Sequence, residues 1–210
     1  MIAIIDYDAG NLTSVARAVT YLGYTCKVTS DNAEIERSER IIFPGVGAAG
    51  SAMQSLKRLG LDNIIASQFR KGKPVLGICL GTQIIMGHSD ENQVACLGLI
   101  DGSVRVFPSN IQSKGGDRLK IPHMGWNRIH VQNRHPLLEG VDAAAEFYFV
   151  HSYYPEPADP ADIIATTQYG ISFASVMGFK NLAATQFHPE KSGKPGLTIL
   201  KNFCRWNPSC

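Results

Sequence analysis

The sequence predicts an α/β fold: an open, largely parallel mixed sheet with helices on both faces and antiparallel additions in the second half. Three observations carry this expectation. Short apolar runs bounded by turn residues recur through the first half, helical patterns lie between them, and from Ser103 to Ala184 the chain changes to strand-like runs punctuated by turns. A chain of 210 residues supplies one full hydrophobic core and is short for two, so residues 1–210 are expected to form a single domain.

Ile2 to Ile5 opens the chain as a buried strand. The helix that follows is read over Leu12 to Leu22, where Leu12, Val15, Ala16, Val19 and Leu22 share one face and Gly23 supplies the stop. Arg40 to Phe43 and Pro74 to Ile78 are further apolar runs without polar alternation, as strands buried on both faces require. Between them Ala52 to Leu59 reads as a helix that resumes after Gly60 toward Phe69. The second half reads as strands over Val104 to Phe107, Arg128 to Val131, Glu146 to Tyr153, Ile163 to Thr167 and Ser172 to Val176, then an apolar run Leu182 to Thr185 and a closing helix about Lys194 to Trp206. Antiparallel additions to the same sheet account for these strands without a second domain. The arrangement is flavodoxin-like, and such sheets bind ligands at the carboxyl ends of their parallel strands.

Composition narrows the function classes. The 20 basic and 18 acidic side chains leave a formal net charge of +2, too small a field to call for nucleic acid as a partner. No segment approaches the roughly 18 uninterrupted apolar residues that span a bilayer, and Met1 to Asp6 lacks the basic start of a signal peptide. Cys26, Cys79, Cys96, Cys204 and Cys210 are an odd set with no CxxC pair, which fits reduced thiols in the cytoplasm. The last residues, Asn207 to Cys210, read as a tail.

Chemistry concentrates at two places. Gly77-Ile78-Cys79-Leu80-Gly81 follows an apolar strand and precedes a helical pattern through Ile84, Ile85 and Met86. This G-x-C-x-G elbow has the logic of a nucleophile turn: a sharp strand-to-helix reversal lifts one side chain above the sheet, and glycines on both sides relieve the crowding. A thiol there faces unpaired N–H groups, which favour the reactive thiolate. The second place is Gln186-Phe187-His188-Pro189-Glu190. Proline biases His188 toward an extended conformation, in which residues two apart project to one side, so His188 and Glu190 can touch. Cys79, His188 and Glu190 then form the nucleophile, base and orienter set of covalent catalysis. Taken singly, Cys79 reads equally as a small buried apolar residue, and His-Pro-Glu reads more readily as a surface turn; their conjunction favours the catalytic reading.

In these residues and their order the chain resembles the class I triad glutamine amidotransferases. Phe43-Pro44-Gly45-Val46-Gly47, Pro122-His123-Met124-Gly125-Trp126-Asn127 and Phe149-Val150-His151-Ser152-Tyr153 look like the branch that serves imidazole glycerol phosphate synthase. The resemblance covers essentially the whole chain. It implies hydrolysis of L-glutamine to L-glutamate and ammonia, delivery of the ammonia to a cyclase partner in histidine biosynthesis, and no metal or organic cofactor. Leu80 supplies one oxyanion-hole N–H by the geometry of the elbow, and the second is expected from Val46 or Gly47, whose flanking glycines leave the loop free to reorient. Gln83, His151, Ser152 and Tyr153 match substrate-binding positions, and His123, Trp126 and Asn127 are assigned to the partner surface, with core packing as the alternative for Trp126. Thr82 and Ala184-Thr185 depart from the family's usual methionine and glycine-valine. His88, His130 and His135 lack metal-ligand spacing.

Three competing readings remain at this level. One is a glutaminase subunit of another synthase, of the anthranilate or aminodeoxychorismate type. The second is a regulatory module without turnover. The third is a dinucleotide-binding domain, because Gly45-Val46-Gly47-Ala48-Ala49-Gly50 satisfies G-x-G-x-x-G after a strand and before a helix; no strand ending in an acidic residue follows about 20 residues later, and Asp62 comes too early in a helical stretch.

Overall fold

The computed structural model describes residues 1–8, 10–113 and 115–208, so Cys210 lies outside the described residues. In chain order the elements are β1 (Ile2–Ile5), α1 (Leu12–Tyr21), β2 (Cys26–Thr29), α2 (Asn32–Arg37), β3 (Arg40–Gly45), α3 (Ala49–Leu59), α4 (Leu61–Arg70), β4 (Val75–Cys79), α5 (Leu80–Ile84), β5 (His88–Ser89), β6 (Val94–Ala95), β7 (Gly102–Val106), β8 (His123–Arg128), β9 (His130–Val131), β10 (Glu146–His151), β11 (Tyr153–Pro157), β12 (Ile163–Tyr169), β13 (Ile171–Phe179), β14 (Leu182–Thr185) and α6 (Gly193–Arg205). The main sheet runs β2-β1-β3-β4-β14-β13-β12-β9. Its first five strands are parallel, and β13, β12 and β9 extend it antiparallel.

Strand parity sorts the core into two layers. Ile2, Ile4, Ile42, Leu76 and Ile78 face Val15 and Val19 of α1 and Ile199, Leu200 and Phe203 of α6. Ala3, Ile5, Ile41, Phe43 and Val75 face Ile35, Met53, Leu56, Leu61 and Ile65 on the other side. Consecutive residues of one strand point to opposite faces, so a run apolar at every position is what a sheet covered twice demands.

Not every second-half strand joins this sheet. β8 and β10 form a separate two-stranded ribbon, and β11, β7, β5 and β6 form a third sheet. The expected single strand Glu146 to Tyr153 is broken at Ser152, because Glu146–His151 pairs with β8 while Tyr153–Pro157 turns away to pair with β7. The stretch read as Arg128 to Val131 is likewise the meeting of β8 and β9. Edge strand β2, with mostly half-buried side chains, and short helix α2, capped by Asp31 accepting from the Glu34 N–H at 3.0 Å, carry too little apolar signal to be anticipated. Among the described residues no helix is long and apolar enough to cross a membrane.

The helical pattern after the elbow stops at Ile84, short of Ile85 and Met86. Here the carbonyls of Ile84, Ile85 and Met86 accept from Leu97, Leu99 and Gly98, so an incoming loop replaces the next helical turn. The elbow itself is wedged beneath β3: a Cβ on Gly81 would lie 1.8 Å from the Phe43 carbonyl oxygen, and one on Gly77 would meet the Thr82 nitrogen at 3.2 Å. Gly81→Ala is therefore expected to lower the unfolding free energy by roughly 1–3 kcal/mol or more, the range for overpacking a dense core. Chemical denaturation checks this, and an unchanged midpoint would contradict the wedge.

Candidate active site

Cys79 ends β4 with φ 54° and ψ −107°, a conformation that a side-chain-bearing residue adopts only when its surroundings impose it. The thiol is nearly buried and lines a cavity of about 380 Å³ with Val46, Gly47, Leu80, Gln83, Tyr153 and His188 among its walls. That volume lies in the range of small-molecule sites, roughly 300–1,000 Å³. The cavity opens at the carboxyl ends of β3 and β4, where Gly45 sits opposite Cys79 in the parallel register. Because α5 has only five residues, a helix macrodipole contributes little at the sulfur.

His188 and Glu190 meet as expected, by a different local geometry. His188 itself is extended, at φ −96° and ψ 96°, as the following proline predicts, but Pro189–Lys191 turns as a 3-10 helix that His188 precedes, and His188 Nδ1 donates to Glu190 Oε1 at 2.8 Å. The carboxylate only accepts, so Nδ1 carries the proton and Nε2 is left for the cavity that Cys79 lines. Nε2 has no other partner among the described residues. Burial would lower the imidazole's pKa, but the Cys79 sulfur and the Glu190 carboxylate outweigh it and raise it to about 9. The backbone of His188 is tied down as well: its N–H donates to the Tyr148 carbonyl at 2.9 Å and its carbonyl accepts from Ser192 Oγ at 2.6 Å.

Two side chains with no role assigned from the sequence complete this cluster. Asn11, at φ 72° before α1, caps nothing with its side chain; its Nδ2 donates to the same Glu190 oxygen at 2.8 Å. Nothing local could reveal a contact across 179 positions. Gln186 is fully buried, donates from Nε2 to Cys79 Sγ at 4.0 Å and accepts at Oε1 from Gln83 Nε2 at 3.2 Å. Its signal was available, since the two-residue spacing that relates His188 to Glu190 also relates Gln186 to His188.

Gln83 Nε2 also donates to the Tyr153 carbonyl at 2.9 Å. Both amide protons are thus engaged inside the protein, and only the Gln83 carbonyl remains to accept from a ligand. Ser152 lines the cavity with a half-buried side chain. Thr82 and Thr185 do not line it; Thr82 Oγ1 donates to the Thr185 carbonyl at 2.6 Å and pins the elbow helix to β14.

The histidines assigned to substrate and partner spend their ring nitrogens on each other and on the protein. His151 Nδ1 donates to the Tyr153 carbonyl at 2.8 Å, so its Nε2 accepts from His123 Nδ1 at 2.9 Å, and His123 Nε2 accepts from Asn127 Nδ2 at 3.3 Å. This one tautomer set satisfies every ring nitrogen, and burial holds His123 at about 4 and His151 at about 3, below the usual histidine value. His151 therefore contributes a wall, not a polar group, to the cavity. His123 is only 2% exposed, stacked on Phe149 and Tyr169, and is not a surface residue. Alternation along β8 explains the correction: His123 and Asn127 point inward, whereas Met124 and Trp126, 62% and 55% exposed, point out. Trp126 is thus not core-packed. It meets Tyr148 edge-on at 6.0 Å on the outer face of the ribbon, which continues to Val150 at the cavity wall.

The dinucleotide reading fails at the helix it needs. The N-terminus of α3 is occupied by the protein's own side chains: the Ala49 N–H donates to Glu91 Oε2 at 2.7 Å and the Gly50 N–H to Asn92 Oδ1 at 3.3 Å. A carboxylate already fills the place of a phosphate. Among the described residues no group of three or more His, Cys, Asp and Glu side chains converges as a metal ion requires. Burial raises the Cys96 thiol to about 11 and the Cys204 thiol to about 12, which keeps both protonated and unreactive.

The family model described as glutamine amidotransferase class-I matches residues 3–206. The chain is 50% identical over 203 residues to an imidazole glycerol phosphate synthase subunit HisH from Desulfovibrio desulfuricans, covering 97% of this chain and 93% of that one. It is 47% identical to the subunit of the same name from Methylococcus capsulatus, covering 99% and 97%. In fold it is similar to a crystal structure of a glutamine amidotransferase, with a TM-score of 0.72, 17% identity and coverage of 97% and 100%, and to the Thermotoga maritima PurLQS structure, with a TM-score of 0.72, 15% identity and coverage of 97% of each chain.

Asn11→Gly keeps the left-handed backbone and deletes only the amide; kcat is expected to fall about tenfold, the equivalent of one hydrogen bond to a charged group, and steady-state kinetics at the wild-type rate would exclude a role for Asn11. Stability should also depend on pH in opposite senses on the two limbs. Between 6.5 and about 4 the unfolded chain binds protons that buried His123 and His151 refuse, so stability falls on acidification. Between 6.5 and about 9 folded His188 holds a proton that the unfolded chain has released, so its contribution is complete below 6.5 and lost as pH rises through about 9. Urea midpoints across this range should therefore fall on both sides, with the acid limb flattened in His151→Asn.

Proposed function

The chain belongs to the class-I glutamine amidotransferase family, and we propose that it is the glutaminase subunit of an imidazole glycerol phosphate synthase, releasing ammonia from L-glutamine for a cyclase partner in histidine biosynthesis. The observation that supports the chemistry is the strained Cys79 at the cavity floor beside an imidazole whose other nitrogen is held at 2.8 Å by a buried carboxylate. The Cys79 thiolate attacks the side-chain amide carbon and forms a tetrahedral intermediate. His188, raised in pKa to about 9 and so protonated at neutral pH, gives its Nε2 proton to the departing ammonia. Neutral His188 then takes a proton from water, which attacks the thioester carbonyl, and collapse returns glutamate and the thiolate. Glu190 orients the imidazole and balances the imidazolium.

The intermediate's oxygen is stabilised by the Leu80 N–H and a second N–H from Val46 or Gly47. At the other end of the substrate, the Gln83 carbonyl accepts from the α-ammonium group, and the Ser152 hydroxyl and the Tyr153 backbone line the amino-acid end. The reaction draws on side chains, backbone donors and water. The partner docks on the outer face of the β8–β10 ribbon through Trp126 and Met124, an exposed aromatic and thioether pair of the kind that anchors interfaces. Because that face runs into Val150 at the cavity wall, a docked cyclase covers the site from which ammonia leaves. The whole chain acts as one domain, in the cytoplasm.

The test is glutamate release by the purified chain, alone and with its organism's cyclase subunit plus that subunit's nucleotide ligand. Strong stimulation by the cyclase is expected, with a loss of roughly 10⁴-fold or more in Cys79→Ala. Hydrolysis that survives Cys79→Ala would remove the nucleophile assignment; Cys79-dependent hydrolysis that the cyclase does not stimulate would move the chain to another synthase.

A further inference from the structure

We propose that Tyr7 is a positioning residue of the oxyanion site, its hydroxyl donating to the Val46 carbonyl when the Val46–Gly47 peptide turns its N–H toward Cys79. The proposal rests on the glutaminase reading and adds to it the device that holds the second oxyanion donor in place.

Tyr7 lies just beyond β1, beside the end of β3, where the strand order β2-β1-β3 reverses direction. It is 1% exposed, with its ring against Phe43 at 5.2 Å, and its hydroxyl has no hydrogen-bond partner among the described residues. A buried hydroxyl left unpaired is costly, and few persist in folded proteins without a reason. Burial, and then the charge of Cys79, push this phenol's pKa up, so the hydroxyl stays a donor. It also lies directly beneath the loop: a Cβ on Gly45 would come within 1.9 Å of the hydroxyl oxygen, so only glycine lets the backbone pass over it.

The loop is a wall between two spaces. Tyr7, Ser51 and Ser55 line a second cavity of about 220 Å³, which shares Val46 and Gly47, and no other residue, with the cavity that holds Cys79. In a trans peptide the C=O and the N–H point in opposite directions. An N–H of Gly47 directed at the substrate cavity therefore directs the Val46 carbonyl away from it, into the space where Tyr7 holds an unused donor. Gly47, at φ 102° with nothing within 4 Å of a would-be Cβ, leaves this peptide free to turn. The Tyr7 bond exists only in the arrangement that completes the oxyanion hole, so it favours that arrangement and leaves the other unassisted.

The experiment is Tyr7→Phe in the complex with the cyclase subunit, which deletes the hydroxyl and keeps the ring on Phe43. Four quantities are measured: kcat, KM for glutamine, the rate of Cys79 alkylation by iodoacetamide, and Tm. The expected result is a kcat about tenfold lower with KM and alkylation unchanged, because neither depends on the oxyanion hole, and a Tm equal to or above wild type, because an unpaired buried hydroxyl is gone. A wild-type kcat in the variant overturns the proposal while Cys79-dependent hydrolysis leaves the glutaminase reading standing. A kcat loss accompanied by slower alkylation or a lower Tm marks Tyr7 as merely structural and overturns it too. Absence of Cys79-dependent glutamate release in the wild type overturns both.

Discussion

The constraint on which the site depends is the close passage of the β4 elbow beneath β3. A side chain at 81 would occupy the Phe43 carbonyl oxygen, and one at 77 would crowd the first turn of α5. Two glycines allow the chain to reverse within one residue, and Cys79 takes the left-handed backbone that the reversal imposes. The thiol is thereby presented above the carboxyl ends of the parallel strands, next to the loop that leaves β3. Strain at Cys79 is held by the density around it: β3 and β14 flank β4 on either side, and Thr82 ties α5 to the Thr185 carbonyl.

Around that elbow the protein uses one residue type in two opposite states. His123 and His151 are buried with neutral partners, and desolvation keeps them unprotonated across the physiological range. His188 is buried as well, but it lies between a sulfur and a carboxylate, and their charges overcome the same desolvation. The neutral pair has its tautomers set by a carbonyl at one end and an amide at the other, which makes it a rigid strut behind Tyr153 and Gln83. The charged imidazole has one nitrogen fixed and one left for the cavity. Environment, not residue identity, separates the structural histidines from the one proposed to move protons.

Packing also explains how the proposed partner and substrate surfaces come to share a ribbon. β8 and β10 alternate strictly, with Phe147, Phe149 and His151 inward and Tyr148 and Val150 outward on one strand, and His123 inward and Met124 and Trp126 outward on the other. His151 on the inner face and Val150 on the outer face both line the cavity, and the outer face offers an aromatic surface that ends at that wall. A cyclase resting on Trp126 would thus lie one peptide thickness from the histidine strut.

The sequence by itself determined the α/β class, the buried parallel strands, the elbow at Cys79 and the contact between His188 and Glu190. Each of these is a local pattern: hydrophobic run length, a glycine pair around one cysteine, or two polar residues on either side of a proline that holds the first of them extended. The tertiary structure alone decided that β8 and β10 leave the main sheet, that His123 faces inward while its neighbours face out, that Asn11 reaches Glu190, and that Tyr7 keeps an unpaired hydroxyl under Gly45. Periodicity states which residues share a side of their own strand, but not which side meets the core. A hydrogen bond across 179 positions depends on how distant elements pack, and no pattern along the chain carries that information.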